Sequence, residues 1–148
     1  FNLIDDSYNA NPLSMKNSIQ NLSKINIKNV KKYLLLGDML ELGKKSYYYH
    51  KNLANVINGS KIDKLFIFGK EIMETYKSVD KSKRGNILQQ LDDFDIIFKE
   101  ILNSGDYLLL KGSNATGLNK LSKKIITNSG LKNVIWIIYV FSWILFFS

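Results

Sequence analysis

Cysteine is absent from this chain and histidine occurs once, at His50. Disulfides and thiolate metal centres are thereby excluded, as is a metal site built from several histidines. A chain without thiols suits a reducing cytoplasm, and no signal-peptide pattern argues otherwise. Proline is nearly absent as well, Pro12 being the single one in 148 residues, so regular elements meet few breaks. Neither a G-x-x-x-x-G-K-[ST] phosphate loop nor a G-x-G-x-x-G turn is present, so these residues do not encode a complete ATP site. Acidic residues are the minority, 13 against 21 basic, for a net charge of +8. The lysines are scattered, with short clusters at Lys31-Lys32, Lys44-Lys45, Lys81 to Arg84 and Lys123-Lys124. No aromatic-interleaved basic motif accompanies them, so they read as a solvated surface and no nucleic-acid partner is expected.

What the chain does have is apolar material, 45% of residues, enough for one domain with its own core. Apolar runs alternate with helical patterns. Asn2 to Ile4 reads as a short strand leading into Asp5. Asn11-Pro12 looks like an N-cap with proline at the first helical position, and Met15, Ile19 and Leu22 follow on one face. Tyr33 to Leu36, ending at Gly37, is the continuous run of a buried parallel strand. A helix starting after Ser46 carries Tyr49, Leu53, Val56 and Ile57 on its inner stripe. Leu65 to Phe68 is the next strand, ending at Gly69, and a helix follows near Glu71 to Lys77. A weak strand is expected near Asn86 to Leu88. A helix capped by Asp92 or Asp93 presents Phe94, Ile97, Phe98, Ile101 and Leu102; a strand over Tyr107 to Leu110 and a helix from Leu118 to Ile126 complete the series. This alternation with short connections predicts an α/β fold: a Rossmann-like open, mostly parallel sheet with helices on both faces. Residues 1–130 are expected to form the domain, and residues 131–148 an apolar tail. The 14 residues from Val134 to Phe147 fall short of the roughly 20 that span a bilayer. They are read as the start of a membrane segment or a frameshifted or chimeric reading frame, in preference to a buried extra element.

In such sheets ligands bind beyond the carboxyl ends of the strands. Here those ends read Asp5-Asp6-Ser7-Tyr8-Asn9-Ala10-Asn11-Pro12, Gly37-Asp38-Met39-Leu40-Glu41-Leu42-Gly43, Gly69-Lys70-Glu71 and Lys111-Gly112-Ser113-Asn114. Lysine and helix N-termini attract carboxylate or phosphate, and the acids attract ammonium, so this edge suits a zwitterion or a nucleotide.

Three of these segments are more specific than the general pattern. Asp5 to Pro12 with Ser14-Met15, Leu36 to Gly43 followed by His50, and Gly105-Asp106 with Leu108 to Ser113 occur in one order. Together they resemble the third domain of the Mur ligases, in the branch that adds D-alanyl-D-alanine, over roughly Phe1 to Ile126. The resemblance implies a three-domain, ATP- and Mg2+-dependent amide ligase of cell-wall peptidoglycan synthesis. It activates the carboxylate of a UDP-N-acetylmuramoyl-tripeptide as an acyl-phosphate, which the amine of D-alanyl-D-alanine attacks. The UDP-sugar domain and the central ATPase domain, which would hold ATP and Mg2+, are not in this sequence, so the chain alone is expected to be inactive. By position, Asp6, Tyr8, Asn9 and Asn11 are expected on the nucleotide side of the interdomain cleft. Asp38, Glu41 and His50 are expected at the interdomain loop, and Lys111, Gly112 and Ser113 near the D-alanyl-D-alanine. No residue is assigned a catalytic or metal-binding role. Asn11 also reads as a plain helix cap, Glu41 as a solvated loop charge, and His50 as a packing or hydrogen-bonding residue. Asn114-Ala115 departs from the family, which often has a basic or small residue after Lys-Gly-Ser. The rival readings are a free-standing or membrane-tethered binding module of the same fold, and a sister Mur ligase adding another amino acid.

Overall fold

A computed structural model describes residues 1–137. Five parallel strands come from the apolar runs: β1 (Asn2–Asp6), β2 (Lys32–Gly37), β3 (Lys64–Phe68), β4 (Arg84–Ile87) and β5 (Tyr107–Lys111). Between and after them lie α1 (Pro12–Ser23), α2 (Ser46–Asn58), α3 (Met73–Ser78), α4 (Asp93–Phe98) and α5 (Leu118–Ser129). A sixth strand, β6 (Val134–Trp136), closes the series. The sheet order is β4-β3-β2-β5-β1-β6, and every pair is parallel. The expected mostly parallel sheet is therefore wholly parallel among the described residues.

Side-chain parity along the strands builds two cores. Ile4, Leu34, Leu36, Leu65, Ile67 and Leu109 pack under α1 and α2, which contribute Met15, Ile19, Leu22, Leu53 and Ile57. Leu3, Tyr33, Leu35, Phe66, Leu108 and Leu110 pack on the other face with Phe94 and Phe98 of α4 and Leu118, Leu121 and Ile125 of α5. Helices thus cover both faces, as an all-parallel sheet requires.

The start of α1 follows its sequence signal. Asn11 Oδ1 accepts Ser14 N–H at 2.8 Å, Ser14 Oγ accepts Asn11 N–H at 3.0 Å, and Pro12 takes the first helical position. α4 is shorter than its apolar pattern suggests. It ends at Phe98, and the N–H groups of Ile101 and Leu102 both turn back to the Phe98 carbonyl. Asp106 draws the chain away by accepting Asn103 N–H at 2.9 Å. β4 lies over Arg84–Ile87, one or two residues ahead of the expected segment.

The apolar run at the C-terminus begins as a sheet strand. Leu3, Ile4 and Asp5 pair with Val134, Ile135 and Trp136, which makes β1 an interior strand. The rest of that run, and with it any contact with a membrane, lies outside the described residues. Among the described residues no helix is long and apolar enough to cross a membrane.

Candidate functional site

The chain winds from β1 to β4 in one direction and then inserts β5 between β1 and β2. The loops after β1 and β2 lead to helices on one face, whereas the loop after β5 leads to α5 on the other. Connections diverge in this way where open α/β sheets leave a crevice at their carboxyl edge. A cleft of about 490 Å³ lies there. Its walls are Tyr8 to Asn11 from the first loop, Leu40 to Leu42 from the second and Ser113 to Ala115 from the third.

Two glycines let the strand ends meet behind the cleft. A Cβ on Gly112 would stand 3.1 Å from the Gly37 Cα and 3.0 Å from Leu118 Cδ1, so the ends of β2 and β5 approach with little room for a side chain. Gly69, at φ +141, gives similar room to Asp38, whose Cγ would lie 2.7 Å from an added Cβ.

The second loop is tied at three consecutive residues. Asp38 Oδ1 accepts Ile72 N–H at 2.8 Å, and the Asp38 carbonyl accepts Ser113 N–H at 2.9 Å. Met39 N–H donates to His50 Nε2 at 3.0 Å, and Leu40 N–H donates to Ser113 Oγ at 2.8 Å. Glu41 then adopts φ +64, a left-handed conformation uncommon for a residue with a side chain, and Gly43 follows at φ +57. Glu41 is exposed on the cleft wall.

Behind the first and third walls the polar groups are fully buried. Lys111 Nζ lies 2.8 Å from Asp6 Oδ2, with both side chains at 0% exposure, and donates to the Asn9 carbonyl at 2.9 Å. Ser18 of α1 donates to Asp6 Oδ2 at 2.5 Å. Asp6 Oδ1 is buried with no hydrogen-bond partner among the described residues. On the opposite face, Asp5 accepts from Ser7 and from Ser122 of α5.

The three motif loops therefore converge, but their residues divide between wall and support. Tyr8, Asn9, Asn11, Glu41 and Ser113 reach the cleft; Asp6, Lys111 and Gly112 are buried behind it, and His50 sits in the core of α2. Asp38 is partly buried and braces its own loop. Sequence reasoning missed Ser18 and Ser122. Their signal was a small polar residue on an otherwise apolar helical stripe, Met15-Ser18-Ile19-Leu22 and Leu118-Leu121-Ser122-Ile125, aimed at a strand-end carboxylate. It also missed Leu40, Leu42 and Ala115 as wall residues. No group of three or more acids or histidines able to hold a metal occurs among the described residues.

The sequence profile described as Mur ligase, glutamate ligase domain, matches residues 1–114. The UDP-N-acetylmuramoyl-tripeptide--D-alanyl-D-alanine ligase of Bacillus subtilis is 37% identical over 128 residues, covering 84% of this chain and 28% of the relative. The ligase of that name from Buchnera aphidicola is 33% identical over 132 residues, covering 88% of this chain and 28% of its own length. The chain thus spans little more than a quarter of these relatives. Among solved structures, the MurF ligase from Thermotoga maritima in complex with ADP superposes with a TM-score of 0.66 at 24% identity, over 79% of this chain and 26% of that one, a likeness of fold.

Proposed function

The chain belongs to the Mur ligase family, in its glutamate ligase domain, and from that premise we propose that it is the C-terminal domain of an ATP-dependent ligase adding D-alanyl-D-alanine to UDP-N-acetylmuramoyl-tripeptide. The observation that carries the proposal is the convergence of the three family motifs on one cleft at the sheet's switch point. A cytoplasmic setting belongs to the same reading, and the cysteine-free composition supports it.

In this reading, ATP supplies the phosphoryl group that activates the acceptor carboxylate. ATP and Mg2+ are held mainly by the central domain of the full-length enzyme. What this chain contributes is a wall. Asn9 Oδ1 is occupied by Ala10 N–H at 2.8 Å, which leaves its amide hydrogens for a ligand, and exposed Tyr8 offers a ring face and a hydroxyl. Asn11 holds the positive end of α1 beside the same wall, where it suits anionic oxygens. Asp6 acts from behind, fixing this nucleotide-side loop through Lys111. Asp38, Glu41 and His50 shape the interdomain loop. Ser113, with Gly112 and Lys111 behind it, faces the amino substrate. Closure of this domain over the central one excludes water from a reactive acyl-phosphate.

The test joins this chain to the UDP-sugar and ATPase domains of the Bacillus subtilis relative and follows phosphate release. The chain alone is expected to give none. The fusion is expected to release phosphate only when both the tripeptide acceptor and D-alanyl-D-alanine are present. Release driven by a single amino acid in place of the dipeptide would reassign the domain to a sister ligase.

A further inference from the structure

His50 lies outside the cleft and is 0% exposed, yet both ring nitrogens are engaged. Nε2 stands 3.0 Å from Met39 N, whose N–H can only donate, so Nε2 must present its lone pair. Nδ1 stands 2.8 Å from the Ser46 carbonyl oxygen, which can only accept, so Nδ1 must carry the proton. The two constraints are independent and agree on one neutral tautomer. Ser46 Oγ, 3.1 Å from Nδ1, sits at the same nitrogen. The backbone of the same residue is tied separately, its carbonyl accepting Thr75 Oγ1–H of α3 at 2.6 Å.

The position of this contact gives it meaning. Met39 is the middle of three tied loop residues, and the ties on either side both reach Ser113. After Leu40 the chain must pass through the left-handed Glu41 to form the cleft wall. The imidazole thus anchors the loop to α2 while Ser113 anchors it to the opposite wall.

We propose that His50 is a positioning residue whose Nδ1-protonated imidazole, by accepting Met39 N–H, sets the Leu40–Leu42 wall against Ser113. The inference deepens the functional reading above, but its test does not depend on it. Both readouts, the imidazole tautomer and the exchange of the amides, are taken on the chain itself, without nucleotide or substrate.

Two substitutions separate the functions of the two nitrogens. H50Q places an amide oxygen near the Nε2 position and preserves an acceptor for Met39 N–H. H50N places its amide near Nδ1 and preserves only the donor to Ser46. Long-range proton–nitrogen NMR of the wild-type imidazole should show the proton on Nδ1 and a bare Nε2. Amide hydrogen exchange should accelerate about tenfold or more at Met39 and Leu40 in H50N, with Leu35 and Leu109 unchanged, and return to within about threefold of wild type in H50Q. A proton on Nε2 overturns the proposal. So does equal exchange at Met39 in the two variants, or acceleration spread equally over Leu35 and Leu109, which would make His50 a residue of the general core.

Discussion

Lys111 and Asp6 show how far a charged residue's role depends on the direction it faces. They are register partners on neighbouring strands, and each shares parity with a core residue, Lys111 with Leu109 and Asp6 with Ile4. Alternation along a strand therefore turns both toward the α1 face, where Ser18 donates to Asp6 and the Asn9 carbonyl accepts from Lys111. Removing one partner of such a pair leaves the other charged and dry. Lys111→Met is expected to lower stability by about 3–5 kcal/mol in urea titration. Adding Asp6→Leu to that variant should cost less than the two single changes summed, because the stranded carboxylate goes with it. Strict additivity would show that the pair contributes no coupling.

At the level of elements, the strands and long helices were legible because their signals are redundant. β2 and β5 are unbroken apolar runs, and α1 carries cap, proline and stripe together. α4 was less legible because its apolar spacing continues past the point where the backbone turns, and the turn is decided by Asp106, eight residues beyond Phe98. The loops bearing the cleft could be read from the strand ends. Which of their side chains face it was legible only in part: Tyr8, Asn9, Asn11, Glu41 and Ser113 do, but Asp6 and Lys111 turn inward, and Leu40, placed by its N–H to Ser113 Oγ, was missed. The start of α4 offers a pH test. Asp93 accepts the N–H groups of Gln90 and Gln89, and these donors hold its carboxyl below the ordinary value of 3.8. A depressed carboxylate stabilises the fold at neutral pH and loses that contribution as pH falls through its folded value. Wild type and Asp93→Asn should therefore differ in urea midpoint at pH 7 and converge as the pH is taken below 3.8. A gap that does not change with pH would mean that the charge adds nothing.

For the whole molecule, the two cores lie on opposite faces of the sheet, and β5 belongs to both. Leu108 and Leu109 are neighbours in sequence, but one packs under α4 and α5 and the other under α1 and α2. Truncating either to alanine is expected to cost about 2–5 kcal/mol. If the sheet couples the layers, each variant unfolds in one transition, coincident in near-ultraviolet and far-ultraviolet circular dichroism. Loss of the near-ultraviolet signal ahead of the far-ultraviolet one in Leu108→Ala would show that the aromatic-rich layer melts by itself.

The interior place of β1 also dictates an order of events during synthesis. Its Leu3 pairs with Leu108 on one side and Val134 on the other. The first strand of this stretch to be made thus waits for its neighbours until almost all of the stretch has followed. Such distant partners make closure slow. Until they arrive, β2, β3 and β4 can assemble among themselves, while the Tyr8–Asn11 wall has no sheet on which to stand. The candidate cleft is thus the last part of the domain to take shape, and a stalled nascent chain would carry a half-sheet with an open flank.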